Sequence, residues 1–398
     1  MSGPGVVIVG GGLAGQRCAE TLRRRGFDGR IAIVSGEPVP PYDRPPLSKD
    51  VLGGSASMDS IWLRPEEWYA DNQVELMLGL LGIRLDVAAH VLVVSGGRRI
   101  PYDKLLIATG SRARELPFMR GYPNVHSLRT AFDVERLRPQ LVAGARLALV
   151  GAGFIGQEIA STALGLGLQV TMIEAQAVPL AGVLGERVGR WFGELHQSEG
   201  IEVLAPAMVE RVRGRGRVEE LVLKDGRSVE CDVVVVGVGV EPETEWLSGT
   251  GLRADVGIPT SPAGRTALPD VFAAGDVAAA FDPRVGAHLR TEHWDSAAHG
   301  GVAAARAMLG DHVETTPLPS FWSDQHGLRV SYVGHAGIAD AHRIEGDPGT
   351  REFTVVYERE GRPVAALTAG QPRRLAELRR LIELNHGTNQ HDPKEQAA

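Results

Sequence analysis

Val6-Val7-Ile8-Val9-Gly10-Gly11-Gly12-Leu13-Ala14-Gly15 and Leu147-Ala148-Leu149-Val150-Gly151-Ala152-Gly153-Phe154-Ile155-Gly156 are two copies of one pattern on a single chain. Each is an apolar, strand-like run that passes into a glycine fingerprint. The first glycine of each (Gly10, Gly151) permits a tight strand-to-helix turn, and the second (Gly12, Gly153) lets a pyrophosphate approach the backbone. The third (Gly15, Gly156) lets the new helix pack on the strand. One such match is weak; two, each followed by a second strand that ends near an acidic residue, are much stronger. Two dinucleotide sites are therefore expected, with Leu13, Ala14, Phe154 and Ile155 opening the two helices.

The acidic residues extend the pattern, because a ribose needs a hydrogen-bond acceptor at the tip of the second strand, roughly 20 residues past the glycines. Glu37 follows Ile31-Ala32-Ile33-Val34, and Glu174 follows Val170-Thr171-Met172-Ile173. Glu174 is succeeded by Ala175 and Gln176, with no Arg or Lys nearby in sequence to neutralise a 2'-phosphate. A carboxylate there should repel NADPH and favour NADH. The bland alternative makes both glutamates exposed strand ends.

The chain has 398 residues, 43% of them hydrophobic, enough for two to three domains with sizeable cores. Its 50 glycines suit a fold with many tight strand-to-helix turns. No apolar run approaches the ~20 residues of a membrane span, and the N-terminus enters a strand without a basic, apolar leader. A cytoplasmic protein with no membrane partner is expected. The net charge of -7 argues against wholesale nucleic-acid binding. The only two cysteines, Cys18 and Cys231, form no paired motif, which speaks against dithiol chemistry and reads both as small buried side chains. The 12 histidines show no zinc spacing, and His386 and His391 lie in a polar tail, so no metal site is expected.

Along the chain, the first unit runs through the helix near Leu13 to Arg25 and the strand Ile31 to Val34. It resumes with Leu105 to Ala108, which opens into the small-residue turn Thr109-Gly110-Ser111. A second unit holds the second fingerprint, a hairpin around Val209 to Leu223, the strand Val233 to Val236 and the turn Gly237-Val238-Gly239. The chain then returns to Val271-Phe272-Ala273-Ala274-Gly275-Asp276, read as a strand whose Gly-Asp stands at the entrance to another helix. From about Pro317, strands at Val330 to Val333, Phe353 to Tyr357 and Pro363 to Leu367 precede a helix from Pro372 to Leu384. The expected division is 1–112 and 241–316 for a discontinuous first domain, 113–240 for an inserted second domain, and 317–398 for a C-terminal α+β domain.

Pro41-Tyr42-Asp43-Arg44-Pro45-Pro46-Leu47-Ser48-Lys49, together with Ala108-Thr109-Gly110, Ala274-Gly275-Asp276, Glu292-His293-Trp294 and Phe321-Trp322-Ser323-Asp324, carries a family resemblance. The chain resembles the FAD-dependent, NADH-oxidising ferredoxin reductases of bacterial oxygenase and cytochrome P450 systems, from about residue 5 to 385. Rubredoxin reductases and apoptosis-inducing factors share most of these motifs. The resemblance implies an α/β fold of glutathione-reductase-like architecture, with two Rossmann-like domains, the first for FAD and the inserted one for NAD. It places Arg44 and Lys49 by the FAD pyrophosphate and the flavin edge, Lys49 near the reactive N5, and Arg114 as a further FAD contact. Asp276 would bond the ribitol, with the following helix directing its N-terminal amides to the cofactor.

Glu158 and Glu292 resemble the two carboxylates that hold the nicotinamide carboxamide; for Glu158 the bland alternative is a helix-surface glutamate. Trp322 would lie beside the flavin, and His293, Trp294 and Gly239 are carried as further cofactor contacts. Where the family usually has a valine meeting the adenine, this chain reads Leu80-Leu81-Gly82-Ile83, a departure that bears on Gly82. The implied activity is hydride transfer from NADH to FAD and release of single electrons to a small iron-sulfur ferredoxin serving a P450 or Rieske-type oxygenase. NADH oxidation by oxygen, a quinone or rubredoxin, or a redox-dependent interaction role, stay open. A monomer or weak homodimer is expected. Arg373, Arg374, Arg379 and Arg380, with Arg290 and Arg329, are the candidate ferredoxin-docking charges.

Overall fold

The computed structural model describes residues 5–252 and 256–388; His391 and the side chain of His386 lie outside them. Contacts group the chain into two compact units. One is Met1–Asp43 with Ile61–Arg112 and Glu241–Phe321; the other is Arg44–Ser60 with Ala113–Val240 and Trp322–Ala398.

In the first unit, five parallel strands run in the order Val271–Ala273, Lys104–Ile107, Gly5–Val9, Arg30–Ser35 and Val74–Leu78. The uninterrupted apolar run of Gly5–Val9 follows from burial on both faces, as parallel sheets require. Val6 and Ile8 enter a core with Cys18 and Leu22 of the helix Leu13–Arg24 and Ala304 and Ala305 of the helix Trp294–Met308. Val7 and Val9 enter a second core with Leu85, Leu92, Val94 and Ile100. These come from an antiparallel meander of Gly82–Asp86, Val91–Val94 and Arg99–Pro101. The two helices touch backbone to backbone: a Cβ on Gly301 would fall 2.1 Å from Ala14 O.

The second unit repeats the plan. Strands Glu202–Leu204, Gln169–Ile173, Arg146–Val150, Val233–Val236 and Val125–His126 form its parallel sheet. Val150, Ile173, Val234 and Val236 pack with Leu221, Leu223 and Val229 from a three-stranded antiparallel sheet. The hairpin expected around Val209 to Leu223 supplies two of those strands, and Ser228–Glu230 adds the third. The unit also holds an antiparallel sheet in the order Ser320–Gln325, Leu328–Gly334, Arg362–Ala369, Glu352–Arg359 and Ala341–Asp347, with the helix Pro372–Thr388 after it.

Two readings of the sequence are corrected here. The residues after Asp276 do not begin a helix: they form strands Ala278–Asp282 and Ala287–Leu289, and the helix starts only at Trp294. Its amide end therefore does not follow the Gly-Asp turn directly. Strands Ser320–Gln325 and Ala341–Asp347 were not legible, and Ala341–Asp347 shows why: as an edge strand it buries none of its side chains and so carries no apolar alternation. Contacts group Arg44–Ser60 with the second unit. Its short helix Asp50–Gly53 lies on the helix Phe154–Gly165, where Thr162 Oγ1 donates to Ser48 O at 2.7 Å.

Candidate active site

Both fingerprints have the geometry that their glycines imply. Gly10 and Gly151 sit at φ +125° and +102°, and a Cβ there would lie 2.0 Å from Ala108 O and 2.3 Å from Gly237 O. Gly15 and Gly156 would press a Cβ to 2.4 and 2.5 Å from the carbonyl of the first glycine. The middle glycines differ in kind: a Cβ on Gly12 or Gly153 would meet nothing within 4 Å. Both are helix N-caps with ordinary extended backbone, φ -91° and -71°. Packing thus demands glycine at the first and third positions. At the second, a side chain would stand in front of the free N–H groups of a helix start, where a pyrophosphate binds. The residues present fit two dinucleotides.

Around the first fingerprint, Glu37 is half-buried past the strand Arg30–Ser35, and its Oε2 accepts from Tyr42 Oη at 2.7 Å. Asp276 accepts from Ser111 Oγ at 3.0 Å, and Thr109 Oγ1 donates to Glu243 O at 2.7 Å, which fixes the turn after Lys104–Ile107. Trp294 Nε1 donates to Asp43 Oδ1 at 2.7 Å, with Arg17 over its ring at 5.9 Å. Gly82 opens the strand Gly82–Asp86, and a Cβ there would meet Val9 at 3.2 Å, so packing alone already favours glycine. Its neighbours Leu81 and Ile83 are 59% and 51% exposed, the apolar departure noted in the sequence.

Glu174 stands beside the second fingerprint, its Oε2 accepting from Ala152 N at 3.0 Å and its Oε1 from Gln176 N at 2.8 Å. Each oxygen keeps acceptor capacity for a ribose hydroxyl.

Glu158 is not a helix-surface residue. It is 6% exposed on the helix Phe154–Gly165, and donors gather on it. Oε2 accepts from Ser48 Oγ at 2.6 Å and lies 2.9 Å from Lys49 Nζ; Oε1 accepts from Ser323 Oγ at 2.7 Å. Lys49 also donates to Pro45 O at 3.1 Å. The structure therefore joins Lys49 to Glu158 and adds Ser48 and Ser323, which sequence reasoning quoted within motifs without giving them a role. A buried carboxylate needs such partners, but nothing in one sequence tells which hydroxyls will supply them.

The remaining candidates are spread over both units. Glu292, in the first, is exposed and lies 2.6 Å from Arg290 Nη1; His293 caps the helix Trp294–Met308 and its ring lies 4.9 Å from that of Phe321. In the second, Trp322 is half-buried, and Phe154 meets Phe192 edge-on at 6.0 Å while Ile155 points outward, 46% exposed. Arg114 Nε donates to Val240 O at 3.3 Å beside Gly239, and Arg44 caps the turn Pro45–Ser48. Among the candidate docking arginines, Arg374 is paired with Glu345 and Glu377, Arg329 with Asp324 and Arg290 with Glu292. Each of these three charges is therefore offset by a neighbouring carboxylate.

Both cysteines are buried, Cys18 at 0% and Cys231 at 1%; burial pushes the Cys18 thiol far up and that of Cys231 up to about 12. Neither forms the thiolate that redox exchange requires. Cys18→Ala with Cys231→Ala should retain NADH-dependent ferricyanide reduction, measured per bound flavin; loss of that rate at full flavin content would contradict the assignment.

A family model for pyridine nucleotide-disulphide oxidoreductases matches residues 4–301, and one for the reductase C-terminal domain matches 320–397. A ferredoxin–NAD(P)(+) reductase of Sphingomonas sp. is 36% identical over 389 residues, covering 95% of this chain and 94% of that protein. The ferredoxin–NAD(+) reductase component of the anthranilate 1,2-dioxygenase system of Burkholderia cepacia is 37% identical, covering 96% and 95%. Among solved structures, putidaredoxin reductase in its covalent complex with putidaredoxin matches with a TM-score of 0.93 at 31% identity, covering 96% of this chain and 93% of that one.

Proposed function

As this chain belongs to the pyridine nucleotide-disulphide oxidoreductase family and carries its reductase C-terminal domain, we propose that it is an NADH-dependent ferredoxin reductase of an oxygenase or cytochrome P450 system. The observation that carries this reading is the pair of matched fingerprints, each with an open middle glycine, on a chain with no reactive thiol. FAD, when bound, accepts a hydride from NADH and gives up its electrons singly, which a one-electron acceptor such as a ferredoxin requires.

The protein's own part is binding and orientation. The helix starts at Leu13 and Phe154 offer N–H groups to the two pyrophosphates, and Glu37 and Glu174 take ribose hydroxyls. Asp276, pinned by Ser111, serves the flavin side chain. Lys49 holds Glu158 in place, and Glu158 Oε1 would accept from the nicotinamide carboxamide, with Trp322 of the same unit near the nicotinamide. An NADH-linked reductase of this kind works where reduced nicotinamide is made, in the cytoplasm.

Cytochrome c reduction from NADH should depend on added ferredoxin and exceed oxygen consumption by the reductase alone. Oxygen consumption that matches the rate with ferredoxin would favour an oxidase instead.

A further inference from the structure

Behind Glu158 lies a group of polar side chains so deeply buried that their hydrogens are assigned by elimination. Gln157, His196 and Ser323 are 0% exposed and Gln325 is 2%. The fixed point is the carbonyl of Ala152 in the second fingerprint. A carbonyl only accepts, so Gln157 Nε2 donates there at 2.8 Å and Gln157 Oε1 faces His196 Nε2 at 3.2 Å. That nitrogen therefore carries hydrogen, and the Gln325 atom facing it at 3.1 Å is an oxygen. Gln325 Nε2 is left to donate to Ser323 Oγ at 3.0 Å, and the one hydroxyl hydrogen of Ser323 goes to Glu158 Oε1 at 2.7 Å. On the far side, burial and the neighbouring His326 lower His196 to about 4, so its ring is neutral and Nδ1 accepts from His326 Nε2 at 2.9 Å.

We propose that His196, Gln325 and Ser323 are positioning residues for the nicotinamide carboxamide, forming a one-way hydrogen-bond chain that ends on Glu158 Oε1 and aims its remaining lone pair. The proposal rests on the reading of Glu158 as the carboxamide acceptor. Oε2 is filled by Ser48 and Lys49, whereas among the described residues Oε1 takes only Ser323, which leaves room for one further N–H. Through Gln157 the same histidine grips the carbonyl of the fingerprint turn. One imidazole thus ties the residue that meets the reactive end of the nucleotide to the turn that meets its phosphates.

The test compares kcat/KM for NADH with that for reduced acetylpyridine adenine dinucleotide, in which a methyl group replaces the carboxamide NH2. Ferricyanide serves as acceptor and the enzyme is FAD-loaded. The ratio of the two constants does not depend on the fraction of protein folded. Glu158→Leu should shift the ratio toward the analogue by about tenfold, the loss of one hydrogen bond to a carboxylate. Ser323→Ala, and Gln325→Met, which keeps the side-chain length but cannot donate to Ser323, should each shift it by at least about threefold with flavin content intact. If Glu158→Leu shifts the ratio and both other variants keep the wild-type value, the chain is packing only and the proposal fails, while the role of Glu158 stands. If Glu158→Leu leaves the ratio unchanged, the reading beneath the proposal fails as well.

Discussion

A Gly153→Asp chain is expected to stay yellow and to lose NADH-driven flavin reduction by about three orders of magnitude, whereas Gly12→Asp is expected to purify without flavin. Neither substitution should disturb the fold. Each position has ordinary extended backbone and nothing within 4 Å of an added Cβ, and Asp is a favoured helix N-cap. The new carboxylate stands where the pyrophosphate binds. Two unit charges about 4 Å apart at an effective dielectric near 20 repel by about 4 kcal/mol, a factor of about 10³. Gly151→Ala is the contrasting control: at φ +102°, with Gly237 O 2.3 Å from the new Cβ, it should damage the fold itself. Flavin content, reduction by dithionite and kcat/KM for NADH separate these outcomes. A Gly153→Asp enzyme with unaltered kcat/KM would remove the nucleotide from the second fingerprint.

The two nucleotide units were legible because their strands are buried on both faces and their turns require glycine, so both the composition and the spacing are forced. Val6 to Val9 and Leu147 to Val150 have no polar face to confuse the reading. The C-terminal sheet was legible only where strands are interior: Phe353, Val355, Val356 and Leu367 are all at most 1% exposed, whereas Ala341–Asp347 at the edge presents polar residues on both sides. The helix expected after Asp276 failed for a related reason. Gly-Asp fixes a turn but does not select the next element, and Ala278–Asp282 carries no strand alternation strong enough to displace the expectation.

For the candidate site, charged residues in long motifs were visible, and Lys49 and Glu158 do meet. Their hydroxyl and amide partners were not. Ser48, Ser323, Gln157 and Gln325 are common residue types whose role depends on which chain segments fold together, and His196 has no motif around it. Only burial turns them into a single network.

The wild-type enzyme should favour NADH over NADPH by about 10- to 100-fold in kcat/KM, the equivalent of about 1.4 to 3 kcal/mol from one lost hydroxyl bond and the repulsion between Glu174 and a 2'-phosphate. The names of the relatives leave this open, since one is described as using NAD(P)(+) and another NAD(+). The position of Glu174 argues for the stricter choice: both of its oxygens are oriented by backbone N–H groups, of Ala152 and Gln176, so the carboxylate is held at the edge of the fingerprint and does not swing away to admit a phosphate. Glu174→Gln removes the charge and with it the repulsion, while its single amide oxygen keeps one of the two backbone hydrogen bonds; the preference should fall to within a few-fold of unity, on the order of 1 kcal/mol or less. Glu174→Arg should invert it, at a cost in absolute rate with both nucleotides, because Ala152 N and Gln176 N then lose their acceptor. The ratio is therefore the quantity to measure. Equal use of NADH and NADPH by the wild type, or a ratio that Glu174→Gln leaves unchanged, would mean that the ribose lies away from Glu174 and that the two backbone hydrogen bonds are the whole of its role.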